Sequence, residues 1–267
     1  MIPDGTDAGA LRPGPGEPAS ARVYDALLGG LDNYEADRRL AAELECLYPG
    51  IRRMAANNRV YLGHAVTWAS GRQGIRQFLD LGSGFPGRGS VRDIAQAADP
   101  ESRVACVDWD PAVARYGAKL EREGVKGVAV VRADIRDPGA VLADPAVTEV
   151  IDLAEPVALV FGLVLHHMSP AESGEVVAAY VKAAAPGSCA AITMARCDDA
   201  ELVAGFARAY AIAHQNFTAD EITGLFGGLE MLPPGVGPVA GSRPGWREAR
   251  GNPPGTAYVA GGIGRKG

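Results

Sequence analysis

The apolar run Gln77-Phe-Leu-Asp-Leu81 breaks directly into Gly82-Ser-Gly84-Phe-Pro-Gly87. A strand that ends in closely spaced glycines turns sharply and brings bare backbone against a bound molecule, because no Cβ stands in the way. The residues beyond it supply the context. Arg103-Val-Ala-Cys-Val-Asp108, Val128-Ala-Val-Val-Arg132, Pro156-Val-Ala-Leu-Val-Phe161 and a stretch over 189–194 read as further short apolar strands. Helical stretches separate them, over 90–98, from Pro111 onward, and over 170–185. Alternation at these lengths implies right-handed crossovers and a mostly parallel sheet, so the expected fold is α/β and Rossmann-like. The ending departs from this pattern. A helix over 199–214 and the capping box Thr218-Ala-Asp-Glu221 lead to extended segments near 229–232 and 256–261 with no helix between them. Two strands joined in that way pair antiparallel as a terminal hairpin, giving seven strands in all.

Residues 1–19 are rich in Pro, Gly and Ala and read as a disordered leader. Residues 20–70 read as a helical cap, with helices over 21–28 (capped by Ser20 and stopped by Gly29-Gly30), 35–47 and 51–69. Residues 71–267 are then the sheet domain, and 267 residues suffice for one α/β unit of this size. The net charge of -6, with the arginines scattered, argues against a nucleic-acid partner. No apolar run approaches membrane-spanning length, and the N-terminus lacks a signal pattern, so a cytoplasmic location is expected. The four cysteines show no metal-ligand spacing; reduced thiols and no metal are expected.

Gly82, Gly84 and Gly87 satisfy GxGxxG, which alone fits any nucleotide or a tight turn with no ligand. Asp108 ends the next strand, 24 residues after Gly84, where a carboxylate accepts both hydroxyls of a ribose. Asp110, before Pro111, suits a helix cap instead. Trp109 either covers an adenine face or joins the core. Asp134 either accepts from the adenine amino group, with Ile135 packing on the ring, or caps a helix. Ser83 and Phe85 belong to the turn itself, and Phe161-Gly162 ends the fourth strand at the same edge. Asp80 separates the cofactor classes. A carboxylate just before the first glycine would repel a pyrophosphate but welcomes the ammonium of S-adenosylmethionine. Methyl transfer is therefore expected, with an NAD-dependent oxidoreductase or a non-catalytic S-adenosylmethionine-binding protein as alternatives.

Residues 21–34 (Ala-Arg-Val-Tyr-Asp-Ala-Leu-Leu-Gly-Gly-Leu-Asp-Asn-Tyr), Ala56-Asn-Asn-Arg59, Gln77-Phe-Leu-Asp-Leu-Gly-Ser-Gly84, Val107-Asp-Trp-Asp-Pro111 and Ala133-Asp134 carry a resemblance. From Ser20 onward the chain resembles an actinobacterial S-adenosyl methyltransferase family once defined only as a domain of unknown function. The resemblance implies a class I methyltransferase sheet under an N-terminal helical cap. It also gives that cap a role at the methionine end of the cofactor, with Arg22 meeting the carboxylate and Tyr24, Asn33 and Tyr34 beside it. The alternative is a helix hairpin packed by tyrosines. Asn57-Asn58-Arg59, polar and mid-helix, hints at a contact to the cap. The sequence departs from the family at Phe85-Pro-Gly-Arg-Gly89 and at His166-His167, where one histidine before an aromatic is more usual. His166 and His167 are the candidates for a general base, opposite an unidentified small-molecule acceptor.

Overall fold

The computed structural model of the chain describes residues 14, 16–87, 89–209, 214–240 and 257–267. Most of the expected leader therefore lies outside the described residues, as does the start of the last expected strand. Three helices come first: α1 (Ser20–Leu27), α2 (Glu35–Leu47) and α3 (Ile51–Gln73). The alternating part runs β1 (Gln77–Leu81), α4 (Val91–Ala98), β2 (Arg103–Asp108), α5 (Pro111–Arg122), β3 (Val128–Arg132), α6 (Pro138–Ala143), α7 (Pro145–Val150), β4 (Ala158–Gly162), α8 (Pro170–Ala183) and β5 (Cys189–Cys197). The end holds α9 (Ala200–Ala209), α10 (Ala219–Gly224), β6 (Glu230–Met231), β7 (Gly237–Pro238) and β8 (Ala257–Arg265).

The strands form one sheet in the order β3-β2-β1-β4-β5-β8-β6, with β7 also paired to β8. The first five are parallel, and β8 is antiparallel to β5, β6 and β7. The expected terminal hairpin is present as β6 and β8. Two features add to the expectation. Among the described residues there are eight strands where seven were expected, the additional one being the two-residue β7. And β8 runs beside β5 from Cys189↔Arg265 to Cys197↔Ala257, which places it inside the sheet, between β5 and β6. Helices α6 and α7 were also absent from the sequence reading. At six residues each they are too short to show a periodic face; their one local signal is an Asp-Pro start, and Asp137 and Asp144 each cap through the side chain.

Side chains alternate across the parallel strands, and both faces are buried. Leu79, Leu81, Ala105, Val107, Leu159, Phe161 and Ile192 point to one face, covered by residues such as Val141, Val147, Val176, Tyr180 and Phe226. Phe78, Val104, Cys106, Ala158 and Val160 point to the other, covered by Leu62, Ala65, Val66 and Ala69 of α3 with Val91 and Ala95 of α4. Helix α3 therefore serves two layers. Its later turns belong to the sheet's own core, while Ala55 near its start joins Val23, Ala26, Leu27, Leu40, Ala41 and Leu44 in a separate cluster with α1 and α2. That cluster sets the cap against the carboxyl edge of the sheet, where ligands bind in folds of this kind.

Candidate active site

The glycine turn is pinned to the end of β2. The amides of Gly82 and Ser83 both donate to the carbonyl of Val107, at 2.8 and 3.1 Å, which swings the chain off β1. Gly82 and Gly84 adopt left-handed φ of 74° and 58°. A side chain at position 82 would meet Val164 at 2.3 Å, whereas one at 84 would find only Ala21 of α1, at 3.9 Å. The Ser83 hydroxyl donates to the Gly84 carbonyl at 3.0 Å, and Phe85 packs edge-on to Tyr116 with centroids 6.0 Å apart.

Asp108 closes the turn from the neighbouring strand. Its Oδ2 accepts from the Gly84 amide at 2.8 Å and its Oδ1 from the Asp110 amide at 2.9 Å. Each oxygen still has a further acceptor position. Burial pushes Asp108 up to about 6, and these two amides hold it back. Asp110 does cap α5, accepting from Ala112 N at 2.8 Å. Asp80 is buried behind the turn. Burial pushes it up to about 7; the Arg59 charge opposes that rise and the Asp108 charge adds to it.

The cap candidates hold one another. Arg22 is 2% exposed, and its Nε meets the Asp37 carboxylate at 3.0 Å. Its Nη1 donates to Asp110 at 3.4 Å and its Nη2 to the Glu17 carbonyl at 2.6 Å. Asp37 also accepts from the amides of Ala19 and Tyr34. Tyr24 donates to the Ala55 carbonyl and accepts from Asn58. Asn33 donates to Asp25 and the Gly30 carbonyl and accepts from Arg38. The Tyr34 ring lies under the Arg22 guanidinium at 5.1 Å, and its hydroxyl accepts from Arg115. Arg22, expected to meet the cofactor carboxylate, is bonded to Asp37 and Asp110, so its guanidinium bolts α1 to α2 and to the segment after β2. Besides Arg92, which donates to the Pro86 carbonyl, the turn has a cation from α3, Arg59. Among the described residues its Nε is buried with no acceptor, while its guanidinium lies over the Tyr24 ring at 5.3 Å and bonds the Tyr24 side chain. The signal for it in the sequence was the polar run Asn57-Asn58-Arg59 inside a helix.

At the far strands the side chains differ in availability. Trp109 is 40% exposed. Asp134 is bound by Arg136, through both the guanidinium and the backbone amide. Ile135 and Phe161 belong to the core, Phe161 edge-on to Tyr180, so the Phe161 ring is unavailable to a ligand and only its backbone borders the edge. A side chain at Gly162 would meet Leu62 at 2.7 Å. Leu163 follows with φ 54°, a strained value for a residue with a side chain, held by its amide bonds to the carbonyl and hydroxyl of Thr193 at 3.1 Å. Beyond it, a 3₁₀ turn over Leu165–His167 brings both histidines under α1. The His166 ring lies 4.4 Å from His167 and 4.5 Å from His214. His167 Nε2 and Ser20 Oγ share a hydrogen bond of 3.1 Å. Burial and its two neighbours hold His166 well below the usual imidazole range; burial and His167 push His214 down to about 4.

A family model for S-adenosyl methyltransferases matches residues 14–267. The chain belongs to the S-adenosyl methyltransferase family. Among solved structures, this methyltransferase is similar to a candidate methyltransferase from Thermobifida fusca YX, with 38% identity over 94% of this chain and 96% of that one, at a TM-score of 0.83. It is also similar to a protein of the former DUF574 family from Streptomyces avermitilis, with 29% identity over 94% and 98% of the two chains, at a TM-score of 0.84. The comparison with curated proteins returned no match. Membership sets the oxidoreductase alternative aside and makes S-adenosylmethionine the cofactor. The residues present fit it: the bare backbone at Gly84, the carboxylate at the end of β2 and an orphaned guanidinium nitrogen beside the turn. No helix among the described residues is long and apolar enough to cross a membrane, and none of their His, Cys, Asp and Glu side chains form a group able to hold a metal ion.

Proposed function

We propose that this methyltransferase holds its cofactor across the ends of β1, β2 and β3 and delivers the methyl group to a small-molecule nucleophile beneath the N-terminal helices. One observation carries the acceptor class. Helix α1 lies directly on the sheet edge: Ser20 bonds His167 after β4, and Ala21 stands over Gly84. An edge roofed by the chain's own helices suits a compact acceptor and leaves little room for a polymer strand.

Each candidate then has a role. Backbone at Gly82, Ser83 and Gly84 lets the amino-acid part approach closely. Asp108, fixed by two amides, accepts from the ribose hydroxyls. Trp109, exposed beside it, covers a face of the adenine, and Asp134 accepts from the adenine amino group once its carboxylate is shared with Arg136. Phe161 contributes through its backbone and Gly162 through its lack of a side chain, next to the strained Leu163.

The bound cofactor supplies an activated methyl on a sulfonium. The chain's residues align the acceptor in line with it and exclude water. A base matters only where the acceptor must lose a proton. His166 is a poor one, because a neutral imidazole of very low basicity takes up a proton weakly near neutral pH. His167, bonded to Ser20, serves to hold the roof.

Methyl-labelled S-adenosylmethionine offered with separate low- and high-molecular-weight fractions of a cell extract tests the acceptor class. Label should enter the small fraction. Label confined to proteins or nucleic acids would overturn it.

A further inference from the structure

Arg59 lies beside the glycine turn without an ion-pair partner among the described residues. It leaves α3 with its side chain half-buried, and its stem passes within 3.9 Å of where a Cβ at Gly89 would stand. Among the described residues its Nε finds no acceptor, and its guanidinium enters no ion pair. A desolvated guanidinium nitrogen without an acceptor is costly and uncommon in a folded protein. Tyr24 answers it only in part: its ring lies under the guanidinium and its hydroxyl, shared with Ala55 and Asn58, also bonds Arg59, while Nε stays without an acceptor. Stacking of this kind holds a planar guanidinium in one orientation and leaves its edge to a partner.

A buried carboxylate whose charge couples to Arg59 is that of Asp80. The two are close enough for their charges to couple, yet they do not touch as an ion pair. A fixed cation and a fixed anion held apart beside bare backbone complement a zwitterion, whose carboxylate and ammonium sit on one carbon.

We propose that Arg59 receives the α-carboxylate of the cofactor's methionine part while Asp80 faces its ammonium. This rests on the cofactor placement above and gives Arg59 the task that Arg22, bonded to Asp37 and Asp110, cannot perform. The geometry of a guanidinium fork matches a carboxylate's two oxygens, so lysine is an incomplete replacement.

Calorimetry of the full chain with two ligands tests it. One is S-adenosylhomocysteine; the other is its decarboxylated analogue, which keeps the adenosine, thioether and amine. The wild type should prefer S-adenosylhomocysteine by about 10- to 100-fold, the range of a charged hydrogen-bonded pair. Arg59→Met should lose that preference by weakening S-adenosylhomocysteine alone, and Arg59→Lys should recover part of it. Equal weakening of both ligands by Arg59→Met, or a wild type indifferent to the carboxylate, would overturn the assignment. The wild-type comparison decides even where Arg59→Met fails to fold. A wild type that binds neither ligand would instead refute the cofactor placement on which the assignment rests.

Discussion

The amide of Gly84 donates to the carboxylate of Asp108 at 2.8 Å, so the turn after β1 and the acid at the end of β2 are one structural unit. Asp108 shapes the turn and offers its remaining acceptor positions to a ligand at once. Asp108→Ala should therefore weaken binding of S-adenosylhomocysteine by roughly 1–3 kcal/mol through lost charged hydrogen bonds. Calorimetry checks this. Unchanged affinity would remove Asp108 from the site.

Asp80 makes cofactor binding and stability depend on pH in opposite directions. Burial raises its folded-state pKa to about 7, against an unfolded value near 3.8. The folded chain then holds the proton more tightly than the unfolded chain. Stability from this group is greatest below about 4 and falls as pH rises to about 7. Asp80→Asn removes that penalty. Its stability relative to the wild type should grow across this window and level off above it, by at most about 4 kcal/mol. An ammonium, by contrast, favours the ionised carboxylate. Wild-type affinity for S-adenosylhomocysteine should rise from about pH 6 to 8, and Asp80→Asn should flatten that rise. Denaturant melts and calorimetry at matched pH values read both effects; parallel pH profiles for the two proteins would refute them.

The buried pair Arg22–Asp37 governs the cap. Removing the cation leaves Asp37, 0% exposed, without its counter-charge. Breaking a buried pair from one side costs about 3–5 kcal/mol. Arg22→Ala should lower the melting temperature by several degrees and expose 20–50 to limited proteolysis. Unchanged melting and an unchanged digestion pattern would show that the pair does not hold the cap.

The elements of the sheet were legible because their signals are local. Strands at Gln77–Leu81, Arg103–Asp108 and Val128–Arg132 are bounded by glycine, aspartate or proline, and α2 at Glu35–Leu47 ends before Pro49. The division of labour between Asp108 and Asp110 was legible for the same reason, since Pro111 marks the helix start. What escaped depends on distant partners. Arg22 and Arg59 read alike in sequence, as arginines in helices. Only the fold brings Asp37 and Asp110 to the first and leaves the second beside Asp80. Phe161 looked available because it ends a strand at the right edge, but strand alternation turns its ring into the core with Tyr180. The pairing of β8 with β5 joins residues on either side of 241–256, a separation that no local pattern encodes.

The two left-handed glycines of the turn should respond differently to a methyl group. At Gly82 an alanine side chain would lie 2.3 Å from Val164 Cγ2 and 2.6 Å from its Cβ, so the backbone has to shift as well as adopt a strained φ. Left-handed strain costs about 1–2 kcal/mol, and overpacking adds about 1–3 kcal/mol. Gly84→Ala meets only Ala21 at 3.9 Å and bears the strain alone. Its added methyl, however, enters the space between the turn and α1 through which a ligand must reach the Gly84 backbone. Gly82→Ala should therefore show the larger loss of stability by denaturant melting. Gly84→Ala should fold with a modest loss yet bind S-adenosylhomocysteine at least tenfold more weakly by calorimetry. A Gly84→Ala protein that binds normally would place the ligand elsewhere. Equal destabilisation by the two changes would mean that Val164 moves aside freely.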